Sequence, residues 1–178
     1  MSIQPFLEYL EKHKGDRGLF ADLRHGFSEG TEYRAWPHIA KWCNLENAKE
    51  RKIWLTVAAG FAYHKQSSRA GNLGSTVRKM ALTGASGKLD DVLKTFDARF
   101  RRLLTCQTTE EVCERLTGII KAADRKGVPI NFAQLYQDLW QFENPKRQIK
   151  IRWAAQYWGH DEPKEEGGQD HVPDSNSD

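Results

Sequence analysis

Apolar side chains recur every third or fourth residue along this chain and show no sustained alternation at every second position. That periodicity restricts the chain to packed helices rather than sheet. The clearest stretch is 88–104, where Leu89, Val92, Leu93, Phe96, Phe100, Leu103 and Leu104 fall on one helical face. Ile3, Phe6, Leu7 and Leu10 do the same for 3–14, and Leu19, Phe20 and Leu23 for 16–25. A short helix over 34–43 tolerates Pro37 in its first turn. Asn44 or Asn47 caps a long helix over about 47–63, with Ile53, Trp54, Val57, Ala58 and Phe61 as its inner stripe.

Residues 64–74 (HKQSSRAGNLG) lose the period and read as a solvent-facing loop. A helix over about 74–83 follows, with Leu73, Val77, Met80 and Ala81 inward. Capping-box spacing at Thr108/Glu111 and at Asn131/Gln134 opens two more helices. The first carries Val112, Leu116, Ile119 and Ile120 to a stop at Gly127; the second carries Phe132, Leu135, Tyr136 and Leu139. Asn144–Pro145 predicts the start of the last helix, with Ile149, Trp153 and Tyr157 along it and Gly159 at its end. The expected fold is an all-α compact bundle of about eight or nine helices with no significant sheet.

At 178 residues the chain fits one helical domain over 1–159, either a single unit or two small lobes sharing a core. Residues 160–178 read as a disordered acidic tail. That tail holds one of the chain's 27 basic residues, Lys164, and seven of its 24 acidic ones, so the net +3 hides a body of +9. Such an excess attracts polyanions or an acidic partner protein. Three widely spaced cysteines, Cys43, Cys106 and Cys113, with no CxxC, argue against a disulfide framework. The start MSIQPFLEYLEKH has no signal-peptide pattern, and no stretch approaches the ~20 apolar residues of a membrane span. A cytoplasmic protein without a membrane partner is the plain reading.

The sequence gives no support for catalysis. Gly71–Asn72–Leu73–Gly74–Ser75–Thr76 lacks the glycine-rich run and the lysine of a phosphate loop. His13, His25, His38 and His64 are scattered, so no metal site is expected, and no cofactor. Asp90/Asp91 and Glu110/Glu111 are adjacent pairs that point in different directions. No serine, cysteine or lysine is visibly paired with a base, although a site assembled from distant side chains stays open.

The cations fall into groups: Arg24 with Arg34; Lys49, Arg51 and Lys52; Lys65 and Arg69, continuing into Arg78 and Lys79; Lys94, Arg99, Arg101, Arg102 and Arg115; and Lys146, Arg147, Lys150 and Arg152. Arg99 and Arg102 share an outward side, with Arg101 about 100° away from Arg102. The three form either a basic ridge or a set of internal pairs such as Arg99 with Asp97. Arg147 and Lys150 share a side through the same three-residue spacing. Nothing encodes base reading, so backbone contact is the natural mode. A protein-interaction module anchored on exposed tryptophans is the competing class.

Three stretches, in order, carry a resemblance. Leu73–Gly74 opens a helix running through Val77 to Ala81. Phe96-x-x-Arg99-Phe100-x-x-Leu103-Leu104 precedes the helix that holds Leu116. Ile130-x-Phe132-x-x-Leu135-x-x-x-Leu139-Trp140 precedes Arg147 and Arg152–Trp153–Ala154–Ala155–Gln156–Tyr157–Trp158. Over about residues 5–159 the chain resembles the CasB family, the small subunit of the type I-E CRISPR Cascade complex. The resemblance implies an all-helical, non-catalytic subunit present in two copies. It would touch the other Cascade subunits and its own second copy. Its basic surface would support crRNA paired to target DNA and the displaced single-stranded DNA, stabilising the R-loop. By matched position and charge, the implied contacts are Arg24, Arg99, Arg101, Arg102 and Arg115, with Arg51, Lys52, Arg147 and Lys150 as a second set. The loop with Lys65 and Arg69 varies in such proteins, and the acidic tail has no counterpart in the family pattern.

Overall fold

The computed structural model describes residues 2–159. The acidic tail at 160–178 lies outside the described residues. Nine α-helices occur among them: α1 (Gln4–Lys12), α2 (Arg17–Arg24), α3 (Trp36–Ile39), α4 (Ala48–Tyr63), α5 (Leu73–Leu82), α6 (Leu89–Leu104), α7 (Thr109–Lys126), α8 (Phe132–Gln141) and α9 (Ile149–Trp158). Single 3-10 turns span His25–Phe27, Glu32–Arg34 and Pro145–Arg147. The all-α expectation holds; an isolated bridge between Ser67 and Ile130 is the only β feature among the described residues.

Helix starts follow side-chain chemistry. Asp16, Asn47, Asn72, Thr108 and Asn131 each accept a backbone N–H from the first turn of the helix they precede. Glu111 also accepts the N–H of Gln107 at 2.7 Å, so Thr108 and Glu111 both cap the start of α7. That helix stops at Gly127, whose φ of 63° closes bonds back to Asp124 and, through Val128, to Ala123.

Helix α4 runs through the middle of the molecule, against α2, α7 and α8. A single inner stripe was expected, but every residue from Ile53 to Ala62 is buried. The other faces carry Thr56, Ala59 and Gly60, small enough for neighbours to close in. A methyl at Gly60 would lie 2.9 Å from the Ile120 side chain and 3.0 Å from Phe132. The buried hydrophobic core is one cluster from Ile3 to Tyr157.

A second group packs α5 against α9, α6 and α7. The Arg152-to-Trp158 run is its fastening. Trp153 Nε1 donates to Asp138 Oδ2 at 2.6 Å, and Tyr157 Oη donates to the Leu93 carbonyl at 2.8 Å. Gln156 Oε1 accepts the Asn72 N–H, while Asn72 Nδ2 donates to the Arg152 carbonyl. Arg78, grouped by sequence with the surface cations, is 8% exposed and donates to the Tyr157 carbonyl at 3.0 Å. Gly74 faces α9 so closely that a Cβ there would overlap the Trp153 carbonyl oxygen.

Three expectations need correction. The helix expected from Asn144 is broken: Asn144 caps a 3-10 turn, Gln148 takes φ 48°, and α9 starts only at Ile149. The 64–72 loop faces solvent only in part, at Gln66, Ser67, Arg69 and Ala70, and is tied down elsewhere. His64 is buried, Ser68 N–H donates to the Ile130 carbonyl, and Lys65 Nζ donates to the Lys14 carbonyl. Leu89, read as inward, is 39% exposed because the packed face of α6 begins at Val92 and Leu93.

Candidate nucleic-acid interface

Burial of Phe96, Phe100 and Leu103 turns Arg99, Arg101 and Arg102 outward on α6. Only Arg101 is held by an acid: its Nε lies 2.5 Å from Asp97 Oδ2, and its guanidinium sits 4.9 Å from the Trp158 ring centre. Trp158 Nε1 donates to the other Asp97 oxygen at 3.0 Å, fixing the carboxylate. Of the two outcomes left open by sequence, Arg101 is internally paired, while Arg99 and Arg102 have no ion pair among the described residues. Arg99 lies 5.7 Å from the Phe96 ring, and Lys126, at the end of α7, lies 5.6 Å from the same ring. Lys126 Nζ also donates to the Thr83 carbonyl, which fixes it beside α6.

A second ring gathers cations in the same way. Tyr63, the last residue of α4, has Arg24 at 5.8 Å and Lys121 at 4.9 Å. Arg24 Nε donates to the Ala62 carbonyl at 3.1 Å, so its position is set although the side chain is exposed. Exposed Arg115 and Arg125 lie on α7. Arg125 is one turn beyond Lys121 on α7. Contacts of this kind are worth about 0.5–1 kcal/mol when exposed and leave the charge available to an anion.

Lys121, Arg125 and Lys126 were absent from the sequence-derived groups. Arg125 and Lys126, in the last turn of α7, already have a reason to be there, since they oppose its dipole; Lys121 lies about one turn earlier. Only the packing of the helices brings Lys121 to the ring that holds Arg24, and Lys126 to the ring that holds Arg99.

Arg51 and Lys52 sit in a different setting. They line a cleft of about 560 Å³ that also holds Lys49, Glu29, Glu32, Glu110 and Glu143. Arg51 pairs with Glu32 at 3.7 Å and donates to the Leu45 carbonyl; Lys52 lies 3.8 Å from Glu29, and Lys49 lies 2.8 Å from Glu143. Three cations against four carboxylates leave no positive excess there. Exposed carboxylates of Glu29, Glu110 and Glu114 come within 4.8 Å of one another, with Lys52 beside Glu29. Arg147 and Lys150 are also separated, because the break at Gln148 removes the shared helical side expected from their spacing. Lys150 stands 5.4 Å from the Phe142 ring.

The nucleophile candidates are structural. Cys43, Cys106 and Cys113 are buried, and burial pushes the Cys43 and Cys113 thiols up to about 11, so they stay protonated. His64 lies between Asp124 Oδ1 at 3.2 Å and the Val128 carbonyl at 2.7 Å, which ties the end of α4 to the end of α7. No helix among the described residues is long and apolar enough to cross a membrane.

A family model described as CRISPR-associated protein Cse2 matches residues 20–158. A CRISPR-associated protein Cse2 from Thermus thermophilus is 24% identical over 168 residues, covering 90% of this chain and 92% of that protein. A crystal structure of CasB from Thermus thermophilus is similar with a TM-score of 0.66 at 25% identity, covering 90% of this chain and 100% of that one. A second crystal structure, of a Cse2-family CRISPR-associated protein from Thermus thermophilus, gives 0.69 at 23% identity with the same coverage.

Proposed function

The chain belongs to the CRISPR-associated Cse2 family, and from that premise we propose that it is a non-catalytic structural subunit of the CRISPR Cascade ribonucleoprotein in the cytoplasm. Two copies per complex, in contact with each other and with the other Cascade subunits, hold the backbone of crRNA paired to target DNA and of the displaced single strand. Holding the displaced strand opposes re-annealing, so the R-loop persists whatever the target sequence. Pairing supplies specificity; this subunit supplies charge.

The observation that carries the reading is the outward pair Arg99 and Arg102, with no ion pair among the described residues, together with the cations gathered at the Phe96 ring (Lys126) and at the Tyr63 ring (Lys121 and Arg24). Arg115 is an outer member on α7. Arg101 contributes less because Asp97 already holds it. Arg51 and Lys52 contribute least, given the carboxylates around them.

The test reverses charge at Arg99 and Arg102 in the assembled complex and measures R-loop stability over a salt series. We expect a loss of about tenfold or more at low salt, equal for unrelated targets. The slope of log affinity against log salt should fall by about one to two. Unchanged affinity and slope would sink the reading in favour of a protein-interaction module. That second reading draws on exposed Tyr33, Trp36, Ile151 and Trp158.

A further inference from the structure

The break at Gln148 rearranges the most basic stretch of the chain. Lys146, Arg147, Lys150 and Arg152 fall within seven residues, and no carboxylate occurs between Asn144 and Gly159. In one continuous helix Arg147 would sit beside Lys150. Instead Arg147 and Arg152 line a hollow of about 520 Å³ between α8 and the start of α9, with Trp140, Gln137 and Gln141 on the α8 side. That volume lies in the ordinary range for a small-molecule site, about 300–1,000 Å³.

The hollow has a built floor. Asp138, 2% exposed, accepts from Trp153 Nε1 at 2.6 Å and Gln134 Nε2 at 2.9 Å. Its carboxylate lies 4.0 Å from the Arg152 guanidinium, which stays 52% exposed. Arg147 is exposed and has no acid partner among the described residues. Helix α9 starts without a side-chain cap, so its free N–H groups add positive potential beside Ile149, another lining residue. Gln148 holds φ 48°, a conformation that residues other than glycine keep only when the surroundings impose it.

We propose that this hollow takes one unstacked nucleotide of a single strand. Its phosphate sits on Arg147 and Arg152, and its base lies against the half-buried ring of Trp140. The amides of Gln137 and Gln141 stand at the base edge. The inference rests on the nucleic-acid reading above but uses a different surface from Arg99 and Arg102. An acidic peptide would use the two arginines and leave the tryptophan idle, so the lining favours a nucleotide. A neighbouring hollow shares Gln134 and Gln137 but sets Glu8 and Glu11 against one cation, Arg69, so its net negative lining disfavours a phosphate chain. The strand therefore reaches the site from the Arg147 side. A base held in a duplex stack cannot fill the site, so single strands bind in preference.

The test compares an oligothymidylate of about a dozen nucleotides with an abasic strand of the same length, by fluorescence anisotropy with the full chain at low salt. Wild type should bind the thymidylate more tightly. Trp140→Ala should lower that affinity about tenfold and leave the abasic strand unchanged, whereas Trp140→Phe restores most of it. Arg147→Gln, at an exposed position, should weaken both strands. Equal affinity of wild type for the two strands, or equal losses on Trp140→Ala, overturns the nucleotide hollow while the α6–α7 surface stands. Binding of neither strand defeats the broader reading instead. Tighter binding of a polyglutamate peptide, lost in Arg147→Gln, would assign the hollow to an acidic protein partner and also overturn the proposal.

Discussion

Asp138 and Glu143 lie five residues apart, and their carboxyls are shifted in opposite directions. Burial raises Asp138 above its ordinary value, against the pull of the Trp153 and Gln134 donors. Glu143 is held down at about 2, first by Lys49 and then by the Thr109 N–H. The signs therefore differ. A depressed carboxyl contributes stability that is present above its unfolded value and is lost as pH falls through the folded one. A raised carboxyl contributes most below the unfolded value and loses it as pH rises through the folded one. For Glu143 the window runs from 4.5 down to about 2. Its side chain is 43% exposed, so solvent screening limits the effect to about 0.5–1 kcal/mol. Calorimetric midpoints for wild type and Glu143→Gln should differ at about pH 5 and converge near pH 2. Parallel curves would show that the Lys49 pair contributes nothing. The sequence offered Lys49 as a surface cation; its partner lies 94 positions away, so no local pattern could reveal the pairing.

Element by element, capping chemistry was the most readable signal. Asn47, Thr108 and Asn131 stand where their hydrogen-bonding side chains demand. Asn144 was also read correctly as a cap, but of a turn, because a glutamine in the left-handed region carries no sequence mark as glycine does. Placement of α5 against α9 was not legible either, although both halves of the contact lay within stretches that carried the resemblance. Leu73–Gly74 matters because Gly74 admits the α9 backbone, and the RWAAQYW run matters because its side chains reach Asp138, Asn72, Leu93 and Asp97. Gly74→Ala must push the two helices apart. Overpacking typically costs about 1–3 kcal/mol, and backbone contact puts this site at the upper end or beyond. Denaturant melting should show the loss, with Gly118→Ala, which meets open space inside α7, as the control that gains about 0.5–1 kcal/mol from helix propensity alone.

On the scale of the whole molecule, charge is divided along the chain rather than balanced. Removing residues 160–178 changes the net charge from +3 to +9. A chain ending at Gly159 should bind single-stranded DNA several-fold more tightly at low salt, and the gain should vanish as the Debye length shrinks to about 3 Å near 1 M salt. Equal affinities at low salt would show that the tail's charge is not felt at the binding surface. Composition predicted a basic body, and periodicity predicted its helices. Neither could say which cations meet, because Lys126 and Arg99, or Lys121 and Arg24, come together only after the helices pack. The fastening by α9 also bears on biosynthesis. This helix follows every other described helix in chain order, yet it supplies the acceptor for buried Arg78 and the donors to Leu93 and Asp97. While a ribosome still shields residues 149–158, α5 and α6 have emerged with their mates missing. The nascent polypeptide therefore depends on α9 to close these contacts, and premature termination before that point leaves Arg78 without its acceptor.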